Sequence, residues 1–267
     1  MDLSIIILNY KSAGLTKQCL KNLYKLNFSF QFEVIVVDNA SNDQCGVMIR
    51  ENFSQVIFIQ SNKNLGMGGG NNLGIAKALG RYILILNPDV VVSAGQIEKI
   101  IKFMDEKEQV GIVGPLMLNP DGSRQESCWR WHKPEGFLYR RTFLGNTKRG
   151  QEYLNHYSYK DRDLSRALAV DWVLGGCCVI RKKALQMVGN FDEFFFLFME
   201  DTDLCLRMWR HSWQVWYLPQ AEFIHYPHRL SGGNLSWRSL WQKTTWHHIA
   251  SWLKYFWKWR LTEKLKQ

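Results

Sequence analysis

Two short acidic stretches carry the residue types that a group-transfer site needs, Asn87-Pro88-Asp89 and Glu200-Asp201-Thr202-Asp203. A carboxylate fixed on a rigid strand end can hold a divalent cation and, through it, a diphosphate. The run Tyr82 to Leu86 supplies such a strand. It is almost purely apolar, which suits a strand buried on both faces of a parallel sheet better than an amphipathic helix. Pro88 cannot donate a ladder hydrogen bond and keeps Asn87 out of the helical region, so the strand stops there. Asn87 and Asp89 are then presented at the carboxyl edge of the sheet, where open α/β proteins bind ligands. An ordinary Asn-Pro-Asp turn is the competing reading. The second stretch follows the aromatic run Phe191 to Met199 and opens a helix reading Leu204, Leu206, Met208, Trp209. Three acids in a first turn complement the helix dipole. A carboxylate emerging from so apolar a segment is also desolvated, which raises its pKa toward the range of a general base.

The elements that must position these acids follow from the apolar pattern. Strands are predicted at Leu3 to Leu8, Glu33 to Asp38, Val56 to Gln60, Tyr82 to Leu86 and Val110 to Gly114, alternating with helices that include Leu15 to Leu26 and Ile97 to Met104. Such alternation predicts a doubly wound, mostly parallel α/β sheet. Four polar strand ends, Asn9-Tyr10, Asp38-Asn39, Asn62 to Asn64 and Asn87 to Asp89, then line one edge. Asp38 stands where an acid accepts from ribose hydroxyls or a base, or caps a turn. The segment from Asn64 through Gly66, Gly68, Gly69, Gly70 and Asn71 to Gly74 lets backbone N–H groups approach an anion, or packs a helix closely on the sheet. Its spacing is neither G-x-G-x-x-G nor a P-loop.

Beyond Gly122 the alternation breaks down. Residues 123 to 169 read as an irregular or mobile insertion over the site, in which Arg140, Arg141, Lys148 and Arg149 could meet a phosphorylated acceptor or simply be solvated. Val170 to Ile180 returns to strand character, and Gly175-Gly176 either permits close substrate approach or marks a bulge. Gln214 to Leu218 is a strand, and after Pro219 a separate extended piece ends at Phe223-Ile-His225-Tyr-Pro-His228. A neutral imidazole there would be a plausible second metal ligand beside Asp89. So few protein ligands suit magnesium or manganese, with diphosphate and water completing the shell, better than zinc. From Leu235 onward Trp, Leu and Phe interleave with Lys and Arg, giving a basic amphipathic segment for an anionic headgroup layer or for a second subunit.

Composition agrees with this plan. The chain has 267 residues, 46% hydrophobic, enough for a full core. Its formal charge of +10 admits nucleic acid, anionic lipid or a phosphorylated substrate. Half of the 12 Trp fall at or after Trp237, which favours a membrane surface over a nucleic-acid groove. The six Cys include no C-x-x-C pair, and neither a secretory leader pattern nor an apolar run long enough to cross a bilayer is recognisable. A reducing cytoplasm is the expected home.

Taken together, Ser4-Ile-Ile-Ile-Leu-Asn-Tyr10, Val36-Val-Asp-Asn-Ala-Ser41, Asn64-Leu-Gly66 with its Gly/Asn run, Leu86-Asn-Pro-Asp-Val90, Asp171-Trp172 with Gly175-Gly176, and Phe198-Met-Glu-Asp-Thr-Asp-Leu-Cys-Leu-Arg207 resemble the inverting family-2 glycosyltransferases of the GT-A fold. The likeness runs in order through nearly all of residues 4 to 230. It is nearest to rhamnosyltransferases that use dTDP-rhamnose and a polyprenyl-diphosphate-linked sugar. It implies a nucleotide-sugar-binding half at 1–119, an acceptor-binding and catalytic half of the same domain at 120–234, and membrane-association or dimerisation helices at 235–267. In that scheme Asn9, Tyr10, Asp38, Asn39, Asn64, Gly66, Asn71 and Asn87 serve the nucleotide (a dTDP- or UDP-sugar). Asp89 and His225 hold Mg²⁺ or Mn²⁺, with Asn87 standing where the family often has a first Asp. Asp201 is the base, Glu200 the second candidate, and Trp172, Gly175 and Gly176 border the acceptor. The implied protein is a hexosyltransferase of bacterial cell-surface polysaccharide synthesis, peripheral on the inner face of the membrane, with a homodimer as the competing use of its C-terminal helices. The alternatives are transfer of galactofuranose or an N-acetylhexosamine, or a non-catalytic nucleotide- or nucleic-acid-binding protein on the same sheet.

Overall fold

The computed structural model of the chain describes residues 1–226 and 243–264. Its centre is a mixed, mostly parallel sheet. β1 (Leu3–Asn9), β2 (Phe32–Asp38), β3 (Ile57–Gln60) and β4 (Tyr82–Leu86) form the parallel half in the order β3-β2-β1-β4. Every residue of β1 and β4 is buried, as the unbroken apolar runs require. The sheet continues through β11 (Cys177–Arg181), β6 (Val110–Leu118), β12 (Gln214–His225) and β5 (Val90–Val92). Strand β11 runs antiparallel to both β4 and β6, whereas β6 and β12 are parallel. Short strands β7 (Arg124–Gln125) and β9 (Leu168–Ala169) attach to β6 and β12, while β8 (Cys128–Trp129) and β10 (Trp172–Val173) pair with each other as a separate two-stranded sheet. Helices α1 (Ala13–Leu23), α2 (Cys45–Asn52), α3 (Gly66–Ile75) and α4 (Gln96–Glu106) fill the connections of the first half.

Two expectations are corrected. The stretch 123–169 is not irregular throughout, because it folds into α5 (Gly136–Arg141), a 3-10 turn at Phe143–Asn146 and α6 (Lys148–Tyr157). The Thr147 hydroxyl caps α6 by accepting from the Gly150 N–H at 3.1 Å. Next, the two extended pieces around Pro219 are one strand, β12, whose register against β6 breaks between Leu218 and Glu222. Pro219 sits in that break, where a missing donor costs no ladder bond. Its far end, Phe223–His225, pairs with Val90–Val92, a strand not foreseen after Asp89.

Within the C-terminal segment α9 (Lys243–Lys264) is described, whereas His228, Leu235, Trp237, Trp241 and Lys266 lie outside the described residues. One face of α9 packs on its own chain. Tyr255 and Trp259 are buried with Phe195 and Met199. The Ser251 hydroxyl donates to Leu197 O at 2.8 Å, and Lys258 bonds both Asp192 (2.6 Å) and the fully buried Asp203 (2.5 Å). Through these contacts α9 braces the loop that launches the remaining helix of the site, α8 (Glu200–Arg210). In that loop Phe198 and Met199 both adopt left-handed backbone, at φ 68° and 70°. Each such conformation costs about 1–3 kcal/mol and persists only where the surroundings enforce it.

Candidate active site

The β1 and β2 ends form one wall. Asn9, wholly buried, accepts from Ser12 and Thr16 hydroxyls at 3.0 Å and donates to Asp38 Oδ1 at 2.9 Å and to Ser41 Oγ at 2.8 Å. Asp38 also takes the Ser41 hydroxyl and, at Oδ2, the Gln60 amide at 2.8 Å. Asn9 thus spends its donors and acceptors inside the protein, fixing the Asp38 carboxylate, while Tyr10 beside it is exposed. Asn39 ties the wall to α3, donating to Asn64 Oδ1 at 3.0 Å and Gly66 O at 2.9 Å and accepting from Leu65 N–H.

The glycines of α3 are explained by packing. A side chain at Gly66 (φ 75°) would overlap the Phe196 carbonyl, and one at Gly70 or Gly74 would meet Leu8 or Ile6. The Met67 N–H is already spent on Phe196 O and the Gly66 N–H on Asn64 Oδ1. One α3 group stays unsatisfied among the described residues, the buried Oδ1 of Asn71.

At the end of β4 the Gly175–Gly176 pair separates two side chains. An added Cβ on Gly176 would strike Asn87 Nδ2, and one on Gly175 would strike Asp201 Cβ. The Asn87 N–H donates to Gly176 O at 2.8 Å, and the Gly175 N–H donates to Asp201 Oδ2 at 3.1 Å. Only glycine at each position leaves room for the side chain packed against it, Asp201 at 175 and Asn87 at 176. Two residues beyond Asn87, Asp89 Oδ1 is buried without a partner among the described residues, and its Oδ2 lies 3.5 Å from His225 Nε2. The β5–β12 pairing delivers that histidine, with His225 opposite Val90 and the Tyr226 N–H on Asp89 O.

Gln125 sets the histidine tautomer. Its amide nitrogen donates to Asn119 Oδ1 and His225 O, so its Oε1 faces His225 Nδ1 at 2.8 Å. A neutral His225 then carries its proton on Nδ1 and turns the Nε2 lone pair toward Asp89. An orphaned carboxylate oxygen beside an imidazole lone pair fits a hard divalent cation. Among the described residues no third His, Cys, Asp or Glu joins them, so such an ion would rely on ligand and water oxygens.

The acids that open α8 differ in surroundings. Asp201 receives the Gly175 N–H and, at Oδ1, the Thr202 N–H at 2.7 Å. Burial outweighs these donors and raises its pKa. Glu200 is buried with Oε2 unsatisfied, and burial, followed by the Asp201 charge, pushes its pKa well up. Both carboxyls are raised, and of the two Asp201 is the one whose oxygens each receive a backbone N–H, so it is the better equipped to carry the negative charge. Thr202 leads on to His132, whose Nε2 is 3.4 Å from the Thr202 hydroxyl and whose Nδ1 is 3.1 Å from Tyr157 Oη. Trp172 is buried. It stacks on Trp129 at 4.4 Å, donates its indole N–H to Arg130 O, and lies 5.1 Å from His132. Sequence reasoning gave no role to Gln60, Gln125 or His132. None lies in a motif, and only their long-range partners reveal them; Thr202 lies in the acidic motif, which assigns it no role of its own.

The sheet, with its acids gathered at the β4 end, has the architecture of the GT-A class. A profile for glycosyl transferase family 2 matches residues 4–189, and the chain belongs to that family. It is an enzyme of the hexosyltransferase class. Among curated relatives it is 29% identical to the low-salt glycan biosynthesis hexosyltransferase Agl10 of Haloferax volcanii, over 84% of this chain and 67% of that one. It is 28% identical to the N-acetylglucosaminyl-diphospho-decaprenol L-rhamnosyltransferase of Mycobacterium tuberculosis (74% and 68% covered), and 25% identical to rhamnosyltransferase WbbL of Escherichia coli (94% and 91%). Solved structures share the fold. GalNAc-T7 with UDP, GalNAc and Mn²⁺ superposes with a TM-score of 0.64 at 14% identity, over 88% of this chain. The mannosyltransferase PcManGT of Pyrobaculum calidifontis with GDP-Man and Mn²⁺ gives 0.58 at 17% identity, over 85%. This chain spans 45% and 57% of those two chains. Membership of the family replaces the reading as a non-catalytic nucleic-acid-binding protein.

Proposed function

We propose that the protein transfers a sugar, L-rhamnose from dTDP-rhamnose by preference, to a lipid-linked saccharide with inversion at the anomeric carbon, in cell-surface polysaccharide synthesis. One observation carries the reading: the Gly175–Gly176 pair sets Asp201 on one side and the Asn87-Pro88-Asp89 strand end on the other. An acceptor hydroxyl at Asp201 and a donor diphosphate at Asp89 would then meet across two residues without side chains. Asp201 takes the hydroxyl proton as oxygen attacks the anomeric carbon and the nucleoside diphosphate departs. Asp38, held by Asn9, Ser41 and Gln60, faces the nucleoside. Trp172 acts as a buried platform under His132 at the acceptor border. A divalent ion held by Asp89 and His225 would supply positive charge for the departing diphosphate.

The rhamnosyl preference rests on the two rhamnosyltransferase relatives. The test is a panel of dTDP-, UDP- and GDP-sugars with Mg²⁺ or Mn²⁺, following release of nucleoside diphosphate and transfer to a soluble lipid-diphosphate sugar. Turnover of dTDP-rhamnose above the others is expected. Turnover confined to a UDP-hexose or UDP-N-acetylhexosamine would replace the sugar, and no turnover of any donor would defeat the assignment.

We further infer that the outer face of α9 rests on an anionic membrane. No helix among the described residues is long and apolar enough to cross one. Trp246, Leu253 and Trp257 share that face at 59%, 57% and 61% exposure, with the exposed Phe194 ring 6.1 Å from Trp257. Indole and phenyl rings in a basic protein suit the headgroup boundary. Flotation with phosphatidylglycerol vesicles is expected to carry the protein, and the double variant Trp246→Ser, Trp257→Ser to remain behind. Equal flotation of both would refute this placement.

A further inference from the structure

Two arginines linked by side-chain contacts to the α8 end of the site have cationic heads that meet no anion among the described residues. Helix α5 ends in Arg140-Arg141, and both side chains are half-buried. Arg140 donates to Tyr157 Oη at 3.2 Å, its guanidinium 5.1 Å above that ring, and Arg141 bonds His248 Nδ1. Among the described residues neither pairs with a carboxylate. Other partly buried arginines are treated differently. Arg130 meets Asp161 at 2.7 Å and Arg207 meets Asp203 at 2.8 Å, while Arg181 spends its donors on carbonyls at the end of α4. Arg140 and Arg141 do not cap α5 either, because the Thr142 N–H and hydroxyl take Leu138 O. A π face and a neutral imidazole leave the double positive charge uncompensated, whereas buried charge is normally paired. Burial, with Arg140 adding to it, lowers the Arg141 pKa, and burial followed by Arg141 and Arg140 takes His248 down to about 3. His248 therefore accepts and adds no charge of its own.

Their position says which anion belongs there. From Arg140 a line of contacts runs through Tyr157 Oη, His132 and the Thr202 hydroxyl to Asp201. From Arg141 the line runs through His248 to the Phe198 ring, 4.5 Å away and two residues before Glu200. Arg140 thus connects through three side chains to the acid that would receive the acceptor hydroxyl, and Arg141 connects through one to the loop that launches α8. Each guanidinium is a planar fork of donors matched to phosphate oxygens.

We propose that Arg140 and Arg141 bind the diphosphate that links the acceptor sugar to its lipid, and so place the sugar hydroxyl at Asp201. The inference rests on the acceptor class proposed above. Two cations match the two phosphate groups of such a link, and neither residue touches the donor wall formed by Asp38 and Asn39.

The test measures binding, without turnover. Calorimetry in EDTA compares N-acetylglucosaminyl diphosphate bearing a short soluble alkyl chain with the phosphate-free alkyl glycoside. Wild type is expected to prefer the diphosphate. Arg140→Gln should weaken the diphosphate by about 10–100-fold, the worth of one lost charged hydrogen-bonding pair, and leave the glycoside unchanged. Arg140→Lys should recover part of the loss, and Arg141→Gln should behave like Arg140→Gln. Should Arg141→Gln fail to fold, Arg140→Gln decides alone, with an unchanged Tm and nucleoside diphosphate affinity as its folding controls. Equal affinity of wild type for the two ligands, or equal diphosphate affinity of wild type and Arg140→Gln, would overturn the proposal. Loss of phosphatidylglycerol vesicle retention by Arg140→Gln with diphosphate binding intact would assign the pair to a headgroup instead, and overturn it too. Failure of the parent reading shows separately, as absence of turnover in the donor panel.

Discussion

Asp201→Asn is expected to lower transfer by about 10²–10⁴-fold, the usual contribution of one positioned base, while nucleoside diphosphate still binds. The substitution keeps the side-chain shape between Gly175 and Thr202, removes the ability to take a proton, and leaves one of their two N–H groups facing an amide nitrogen instead of an acceptor. Glu200→Gln is the contrasting variant. Burial and the neighbouring charge push Glu200 toward its neutral form, whereas Asp201 holds the N–H donors that stabilise a carboxylate, so a neutral amide at 200 should retain most of the rate at neutral pH. Because the Asp201 pKa is raised, kcat/KM should climb with pH along a limb lying above the ordinary carboxylate range. Stability moves the other way. A carboxyl whose folded pKa is raised contributes stability that is fully present below its unfolded pKa, about 4.3 for Glu. That contribution is lost as pH rises through the folded value. Glu200→Gln should therefore flatten the fall in unfolding free energy above that pH, measured by urea titration at several pH values. Full transfer activity in Asp201→Asn, or its loss in Glu200→Gln with Asp201→Asn active, would reassign the base.

Much of this arrangement was legible from residues alone, for physical reasons. The runs Leu3 to Leu8 and Tyr82 to Leu86 have nothing polar to present to water, so strands covered on both sides were the economical solution. Pro88 ends the second where the pattern says it must. Strand direction was not legible, because Cys177–Arg181 is short and apolar whichever way it runs, and its antiparallel insertion between β4 and β6 depends on partners far away in sequence. The glycine run from Gly66 to Gly74 allowed an anion cradle or close packing, and the contacts with Phe196, Leu8 and Ile6 favour packing. An amphipathic C-terminal segment announces that one face will be covered and not by what. Here Phe195 and Met199 cover Tyr255 and Trp259. His132 stood in a stretch that read as irregular, and only α6, folding back, brings Tyr157 to it.

Asp89→Ala is expected to abolish the metal-dependent part of nucleoside diphosphate binding, weakening the affinity measured in Mn²⁺ by at least about 100-fold, since even outer partners of a ligand are worth 10–100-fold. The size follows from the sparse donor set. Asn87 has no charge to offer and its amide is packed against Gly176, so Asp89 is the carboxylate at this strand end, and His225 alone cannot balance a doubly charged ion beside a diphosphate. Gln125→Ala separates orientation from ligation. It leaves both ligands in place but frees His225 Nδ1, so the imidazole can present the wrong nitrogen, and an intermediate loss of about 10–100-fold is expected. Calorimetric titration of dTDP or UDP into each variant, in Mn²⁺ and in EDTA, distinguishes the cases. In EDTA all three proteins should bind alike, because the contacts made by Asp38 and Asn39 are untouched. A wild type whose affinity does not depend on the metal would remove the ion from the site and leave the Asp89–His225 pair as a structural contact between β5 and β12.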